Sequence, residues 1–436
     1  MTTTTPGGSP VRVLRSEKRW RQRDRISFFI HQDQAMKLKP NSPIGRLLQK
    51  ARQSYYRLPG FVQLTIRTAS NLRWAFSALR VELWLITRKG DAQQEGLKIY
   101  YSGSEKTRQL ISRLAFDDDC EASFISKTWL WRASRTLSRC EDEDLLSVIE
   151  MPFFMSRVFK KKQRFFIPNW IHADVDISIE MNRLLKNSSL QSDLRRIRKN
   201  NLTFEVVNDV QHLQEFYSNM YVPLITQSHG SEAIIDPYLT MEREFLNGAD
   251  LLLVAKDGKH LGGMLIIYPS SNAYLWRIGI LNGDVQFIQE GAISALYYYS
   301  ILFLREKGYR RVHFGMTRAF LKDGVLQYKR KWGLTLVGKP NMGILIGMNP
   351  RGQQARQFLL DNPFIFMQNK KFYSGLFTEK PLLDENDFQQ FNKEYYYDGI
   401  ETMVIHRFDV ENPQVGCSIP EELVARVRLV SIKCGD

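Results

Sequence analysis

The stretch from residue 249 to 315 constrains the fold more than any other part of this chain. Three apolar runs of strand length, at 249–256, 260–268 and 273–280, follow one another, and the first two are joined by Asp257-Gly258. Glycine at that place admits the positive φ of a tight hairpin turn, so the runs predict an antiparallel meander. A helix-length run then covers 287–307 and stops at Gly308, a residue type that ends helices, before one more strand at 311–315. A long helix between a meander and another strand is a crossover, which a chain needs where neighbouring strands run parallel. The order therefore predicts a mixed α/β sheet.

The flanks extend this pattern. A basic helix at 190–200, a strand at 202–207 and a helix at 210–225 precede the meander, while a helix at 323–332 and strands at 334–337 and 342–346 follow it. Upstream, strands at 97–102, 145–150 and 165–168 with a helix at 105–114 predict a smaller unit at 96–189. Since 436 residues exceed what one core usually serves, two core units with extensions are expected. Residues 350–436 open with a helix at 353–360 and then read as an aromatic, irregular C-terminal extension.

The net charge of +15 is concentrated at one end. Residues 1–90 hold eighteen Lys and Arg against Glu17, Asp24, Asp33 and Glu82, a surplus of 14, so the other 346 residues carry the remaining +1. Residues 1–10 lack anything to bury and read as a disordered leader; 11–95 reads as a basic, aromatic, helical extension. Within it Leu72, Ala75, Phe76, Leu79, Leu83 and Ile86 fall at helical spacing and predict an apolar helical face. Cations beside such a face fit an anionic membrane surface, with packing on the body as the alternative. The start shows no secretion signal and no run is long enough to span a bilayer, so a cytoplasmic protein, peripheral on the inner face of the membrane, is expected. Cys120, Cys140, Cys417 and Cys434 are scattered, which argues against a disulfide framework or a metal site.

Motifs accumulate between 190 and 335. Leu194-Arg-Arg-Ile-Arg-Lys-Asn-Asn opens the region; Gly262-Gly263 lies in a meander strand ahead of Tyr274; His313-Phe-Gly-Met-Thr precedes Asp323-Gly324 and Tyr328-Lys-Arg-Lys-Trp-Gly. As a set they resemble the acetyltransferase-type domain of FemAB-like proteins, a branch of the GNAT superfold that includes peptidoglycan Fem transferases and acyltransferases associated with polysaccharide synthesis. The resemblance implies a GNAT-like acyltransferase fold with two tandem halves, 96–189 and 190–349. It also implies acyl transfer from an acyl-CoA-type donor to an amine or hydroxyl of an amino acid, sugar or lipid precursor, without a metal. Two departures leave the donor open: His313 stands where many members have Asp, and the loop at 282–292 lacks the family's pyrophosphate-binding glycine pattern. An aminoacyl-tRNA-dependent Fem-type transferase, with tRNA on the cationic segment, is one alternative reading. A catalytically silent body that tethers to membrane or nucleic acid is the other.

Acyl transfer needs a donor held beside the acceptor, a polarised carbonyl and a destination for the acceptor's proton. Lys329 matches the family lysine and is the candidate oxyanion stabiliser. His313, Glu290 and Asp323 are candidate proton acceptors, although the two acids would equally suit helix N-termini and the histidine a structural role. Trp276, Ile278 and Gly279 of the strand expected to splay, with Gly291 and Ala292 at the start of the long helix, would hold the donor; Gly291 would equally allow close helix packing. His229, Glu232 and Asp236, in the loop between the two early helices, and Arg277 would meet the acceptor, with plain loop exposure as the alternative. Arg330 and Lys331 are expected to be solvated.

Overall fold

The computed structural model describes residues 80–90, 96–129, 131–132, 144–159, 164–178, 187–229, 235–269, 272–349 and 351–432. Its strands are β1 (Arg80–Arg88), β2 (Lys98–Ser102), β3 (Cys120–Trp129), β4 (Leu145–Pro152), β5 (Arg164–Pro168), β6 (Ile171–Asp176), β7 (Thr203–Val207), β8 (Asp250–Lys256), β9 (Lys259–Ile267), β10 (Ala273–Ile280), β11 (Arg311–Thr317), β12 (Leu334–Val337), β13 (Met342–Met348), β14 (Phe364–Gln368), β15 (Lys371–Thr378), β16 (Ile400–Phe408) and β17 (Val427–Ile432). They form three sheets, ordered β3-β1-β2-β4-β13-β5, β12-β6-β11-β10-β9-β8-β7 and β14-β15-β16-β17. The principal helices are α1 (Glu105–Phe116), α2 (Ser188–Lys199), α3 (Val210–Glu215), α4 (Val222–His229), α5 (Tyr238–Leu246), α6 (Ala292–Glu306), α7 (Gly324–Arg330), α8 (Gln353–Asp361) and α9 (Glu385–Tyr395), with a π-helical segment, Phe216–Tyr221, joining α3 to α4.

The mixed α/β architecture is the one the meander and crossover predict. In the seven-stranded sheet β8, β9 and β10 are antiparallel neighbours, turning at Asp257-Gly258, and α6 crosses over to bring β11 parallel to β10. Where one long helix was expected over 287–307, a short helix, Val285–Gln289, breaks at Gly291 before α6 begins.

Four findings depart from the sequence reading. Residues 80–88, expected at the end of an apolar helix, form β1, paired with β2 and β3. Leu83 and Ile86 are both buried, but residues of odd and even number point to opposite faces of a strand, so their spacing of three joined two faces into one apparent helical stripe. The part of that expected helix before Arg80 lies outside the described residues. The C-terminal extension is not irregular: β14 to β17 make a sheet whose aromatic face packs Phe364, Phe366, Phe377 and His406 around Phe165 of β5.

The third departure is a reciprocal exchange of strands. β5 and β6 are separated by Asn169 and Trp170 alone, yet β5 closes the first sheet while β6 inserts between β11 and β12 of the second. Conversely β13, expected as a last strand of the second unit, follows β12 and inserts between β4 and β5 of the first. Apolar residues from both sheets belong to one continuous core that includes Ile99, Leu146, Val175, Leu296 and Leu345. Arg330 and Lys331, expected to be solvated, are tied into this body. Arg330 donates to the carbonyls of Asn392, Lys393, Glu394 and Tyr396 at the C-terminal end of α9, and Lys331 pairs with buried Asp193.

Candidate active site at the splay of two parallel strands

β10 and β11 pair through only two positions, Ala273 with Val312 and Tyr274 with His313. Beyond them β10 keeps its other neighbour, β9, as far as Ile280, and β11 keeps β6 as far as Thr317. The two parallel strands therefore diverge toward their C-terminal ends and leave a notch, with the β10 backbone edge unpaired on that side. Irregularities between Leu275 and Arg277 and between His313 and Met316 fall where the divergence begins.

Lys329 fills the head of this notch. Asp323 caps α7 by accepting from the Leu326 N–H at 2.9 Å, and six residues on, the helix sends the Lys329 side chain under β11. Its Nζ donates to the Met316 carbonyl at 3.1 Å, and among the described residues no carboxylate lies within ion-pair distance of it. The residue is 5% exposed. Gly315 makes room: its φ is +78°, and a side chain there would begin 3.6 Å from Lys329 Nζ, 3.7 Å from the Tyr274 ring and 3.9 Å from the Leu275 carbonyl. Burial lowers the ammonium to a pKa of about 8, with Asp323 acting in the opposite direction.

Two histidines line the β11 side. The Gly315 N–H donates to His313 Nδ1 at 2.8 Å, so the neutral ring carries its proton on Nε2 and donates it to Nδ1 of His172, 3.0 Å away. His172 then holds its own proton on Nε2. Burial, reinforced by His172 and Lys329, pushes His313 down to about 3; burial and then Lys329 lower His172. Both rings are neutral near pH 7. Neither His313 nitrogen keeps a free lone pair, so the geometry speaks for an orienting role rather than that of a base. The Tyr274 ring stands edge-on to His313 at 4.5 Å between centroids.

On the same side of β10, Arg277 pairs with Asp236, which is 3% exposed. The Tyr221 hydroxyl donates to the Asp236 carboxylate at 3.1 Å, and the Tyr217 hydroxyl donates to its carbonyl at 3.0 Å. Both tyrosines sit on the π-helical segment, whose wider winding brings residues four apart to one acid. The expectation of an exposed loop is thus corrected at Asp236. Glu232 lies outside the described residues, and His229 ends α4.

The remaining candidates separate from this cluster. Glu290 pairs with Lys256 at 2.9 Å instead of facing the notch. Gly291 lies with its missing side chain 3.4 Å from Arg196 Cβ of α2, the close-packing alternative, and Ala292 is buried in the core. Gly279 touches helix backbone: a side chain there would meet the Tyr221 nitrogen at 2.6 Å, so its lack of one seats the π-helical segment on the sheet. Trp276 is buried and its ring stacks under the Arg277 guanidinium at 4.6 Å, while Ile278 is half-buried. The sequence reading missed His172, because nothing in Ile171-His-Ala-Asp-Val-Asp tells that this strand leaves its own sheet for the other one. Among the described residues no cluster of three His, Cys, Asp or Glu side chains could hold a metal ion, and no helix is long and apolar enough to cross a membrane.

The strand order, the crossover by α6 and the splay define a GNAT-like mixed α/β fold, the class that the motifs imply. Solved structures similar to the chain include FemX (12% identity, covering 61% of this chain and 84% of that one, TM-score 0.33) and L-PGS from Bacillus licheniformis (14%, 61% and 82%, TM-score 0.31). A GCN5-related N-acetyltransferase from Sphaerobacter thermophilus is a third (10%, 60% and 75%, TM-score 0.29). At these scores the fold assignment rests on the strand order and splay of this chain itself. No family model and no curated protein matches it.

Proposed function

We propose that the notch between β10 and β11 is the site of an acyl transfer, in which an activated acyl ester or thioester gives its acyl group to an amine or hydroxyl. The observation that carries this reading is Lys329, a buried cation with a single carbonyl partner among the described residues, at the head of a cleft walled by unpaired strand backbone. A buried ammonium without a counter-ion is costly, and a site that tolerates one suits chemistry in which negative charge develops beside it. The acceptor's nitrogen or oxygen adds to the carbonyl, and Lys329 Nζ–H together with strand amides meets the oxyanion that forms. The donor's C–O or C–S bond then breaks, and the acceptor's proton ends on the leaving group.

Between donors, the Gly291 turn favours an aminoacyl ester over a CoA thioester, because the helix start where a diphosphate would rest is packed against Arg196 and Ile197. Mass spectrometry of small molecules and RNA retained on the purified protein tests the donor. A retained CoA thioester would reverse that preference, and a protein that retains neither and transfers no acyl group from either donor class would end the acyl-transfer reading.

A further inference from the structure

We infer that the end of the first sheet nearest the notch docks on an anionic lipid bilayer. The strand registers bring one end of every strand to a common rim. Pro152 of β4 faces Met342, and Gly343 faces Pro168 of β5. β2 runs parallel to β4 with Ser102 beside Ile149; β1 runs back from Arg80, with Leu83 facing Ser102; Trp129 of β3 faces Arg80. At a spacing of about 4.8 Å per strand, five intervals make this rim roughly 24 Å wide.

Apolar side chains project from it at both edges and beyond the inner strand β4. Phe154 is 70% and Val158 81% exposed just beyond β4, on successive turns after Pro152; Trp170 is 37% exposed beyond β5, and Trp131 44% exposed beyond β3, stacked on Trp129 at 4.9 Å. Arginines stand between them. Arg80 and Arg157 are exposed and lie over the rings of Trp129 and Phe153, and Arg318 lies over Trp170 at 3.9 Å while donating to the Asn169 carbonyl. Of the acids near this rim, Glu150 accepts from Ser104, Thr107 and Asn169 and Glu82 pairs with Lys127, while Glu105, at the start of α1, is exposed.

Separated apolar tips with arginines between them are poor complements to a protein partner but suit an interface in which tips enter the acyl boundary and guanidinium groups stay among head groups. Charge points the same way. The residues before Arg80 hold fifteen Lys and Arg against Glu17, Asp24 and Asp33, and the chain joins the sheet at this end. The rim also adjoins the notch: Arg318 follows the last residue of β11, the end toward which β10 and β11 open, and Trp170 is two residues from His172. This docking stands independently of the acyl-transfer reading.

The test is hydrogen–deuterium exchange of the full chain with vesicles of equal parts phosphatidylglycerol and phosphatidylcholine, against phosphatidylcholine alone. Peptides spanning 129–132, 153–158 and 168–171 gain protection with the anionic vesicles only. In co-sedimentation the Phe154→Asp, Val158→Asp double variant, whose changed side chains face solvent in the free protein, loses affinity by about tenfold or more. Binding that leaves these peptides unprotected, binding equal in wild type and variant, or no binding to anionic vesicles overturns the proposal.

Discussion

Lys329 Nζ donates to the Met316 carbonyl at 3.1 Å, and this one hydrogen bond joins α7 to β11 at the point where β11 leaves β10. Replacing Lys329 by Met keeps the shape and removes a buried charge. Turnover of an identified acyl donor is expected to fall about a hundredfold or more, the usual cost of losing an oxyanion donor, while the urea midpoint stays level or rises. Near wild-type turnover would take Lys329 out of the chemistry.

The same lysine sets a pH dependence. With its pKa lowered to about 8, the ammonium is lost as pH rises through that value, so turnover declines above it. Stability moves the other way. The unfolded chain, with lysine at its ordinary 10.5, holds more protons between about 8 and 10.5, so this group makes folding more favourable as pH climbs through that window. A pH–rate profile of the wild type that stays flat to pH 9.5 contradicts the first expectation. Urea unfolding of wild type and Lys329→Met across the window checks the second.

Buried Asp236 and half-buried Arg277 form a pair whose partners differ in what their loss would leave behind. Asp236→Asn strands the Arg277 guanidinium without its counter-ion and is expected to cost about 3–5 kcal/mol in urea unfolding. Asp236→Leu combined with Arg277→Met removes both charges and is expected to recover most of that loss. If the double variant is as unstable as the single one, the pair's contribution lies in shape and not in charge.

His406 offers a separate acid-sensitive point. Its ring lies in the aromatic face of the C-terminal sheet, 4.9 Å from Phe377 and 5.0 Å from Phe165, and neither nitrogen has a hydrogen-bond partner among the described residues. Burial, assisted by Arg428, lowers it to about 3 from its ordinary 6.5. The unfolded state therefore binds the proton first, and stability drops as pH falls through the window from 6.5 to 3. His406→Leu removes this contribution and should give a shallower loss of stability between pH 7 and 4.5 in urea titrations; an unchanged slope would show that other groups govern acid unfolding.

How far the sequence discloses this fold follows from how local each signal is. The Asp257-Gly258 hairpin, the crossover into β11 and the position of Lys329 rest on contiguous patterns, and each lies where those patterns put it. Asp236 was legible as a residue type but not as a buried one, because its burial depends on Tyr217 and Tyr221 from an earlier helix. His172 was illegible, since its role depends on which sheet β6 joins, and periodicity within six residues is blind to that choice. The aromatic C-terminal residues misled for a related reason: a sheet face covered by another sheet needs no alternation that stands out against rings on every side.

The exchange of β6 and β13 also dictates when this molecule can become itself. On a ribosome the first sheet is complete only when Met342–Met348 arrives, about 170 residues after β5, or roughly ten to thirty-five seconds at ordinary elongation rates. Until then β4 and β5 present unpaired edges to solvent or to each other, a state that invites wrong partners. Neither half can be cut out and expected to fold, because each would take away a strand the other needs in its interior. His172 reaches the notch on β6, so the notch gains it only once that strand has left β5 and joined β11 in the second sheet.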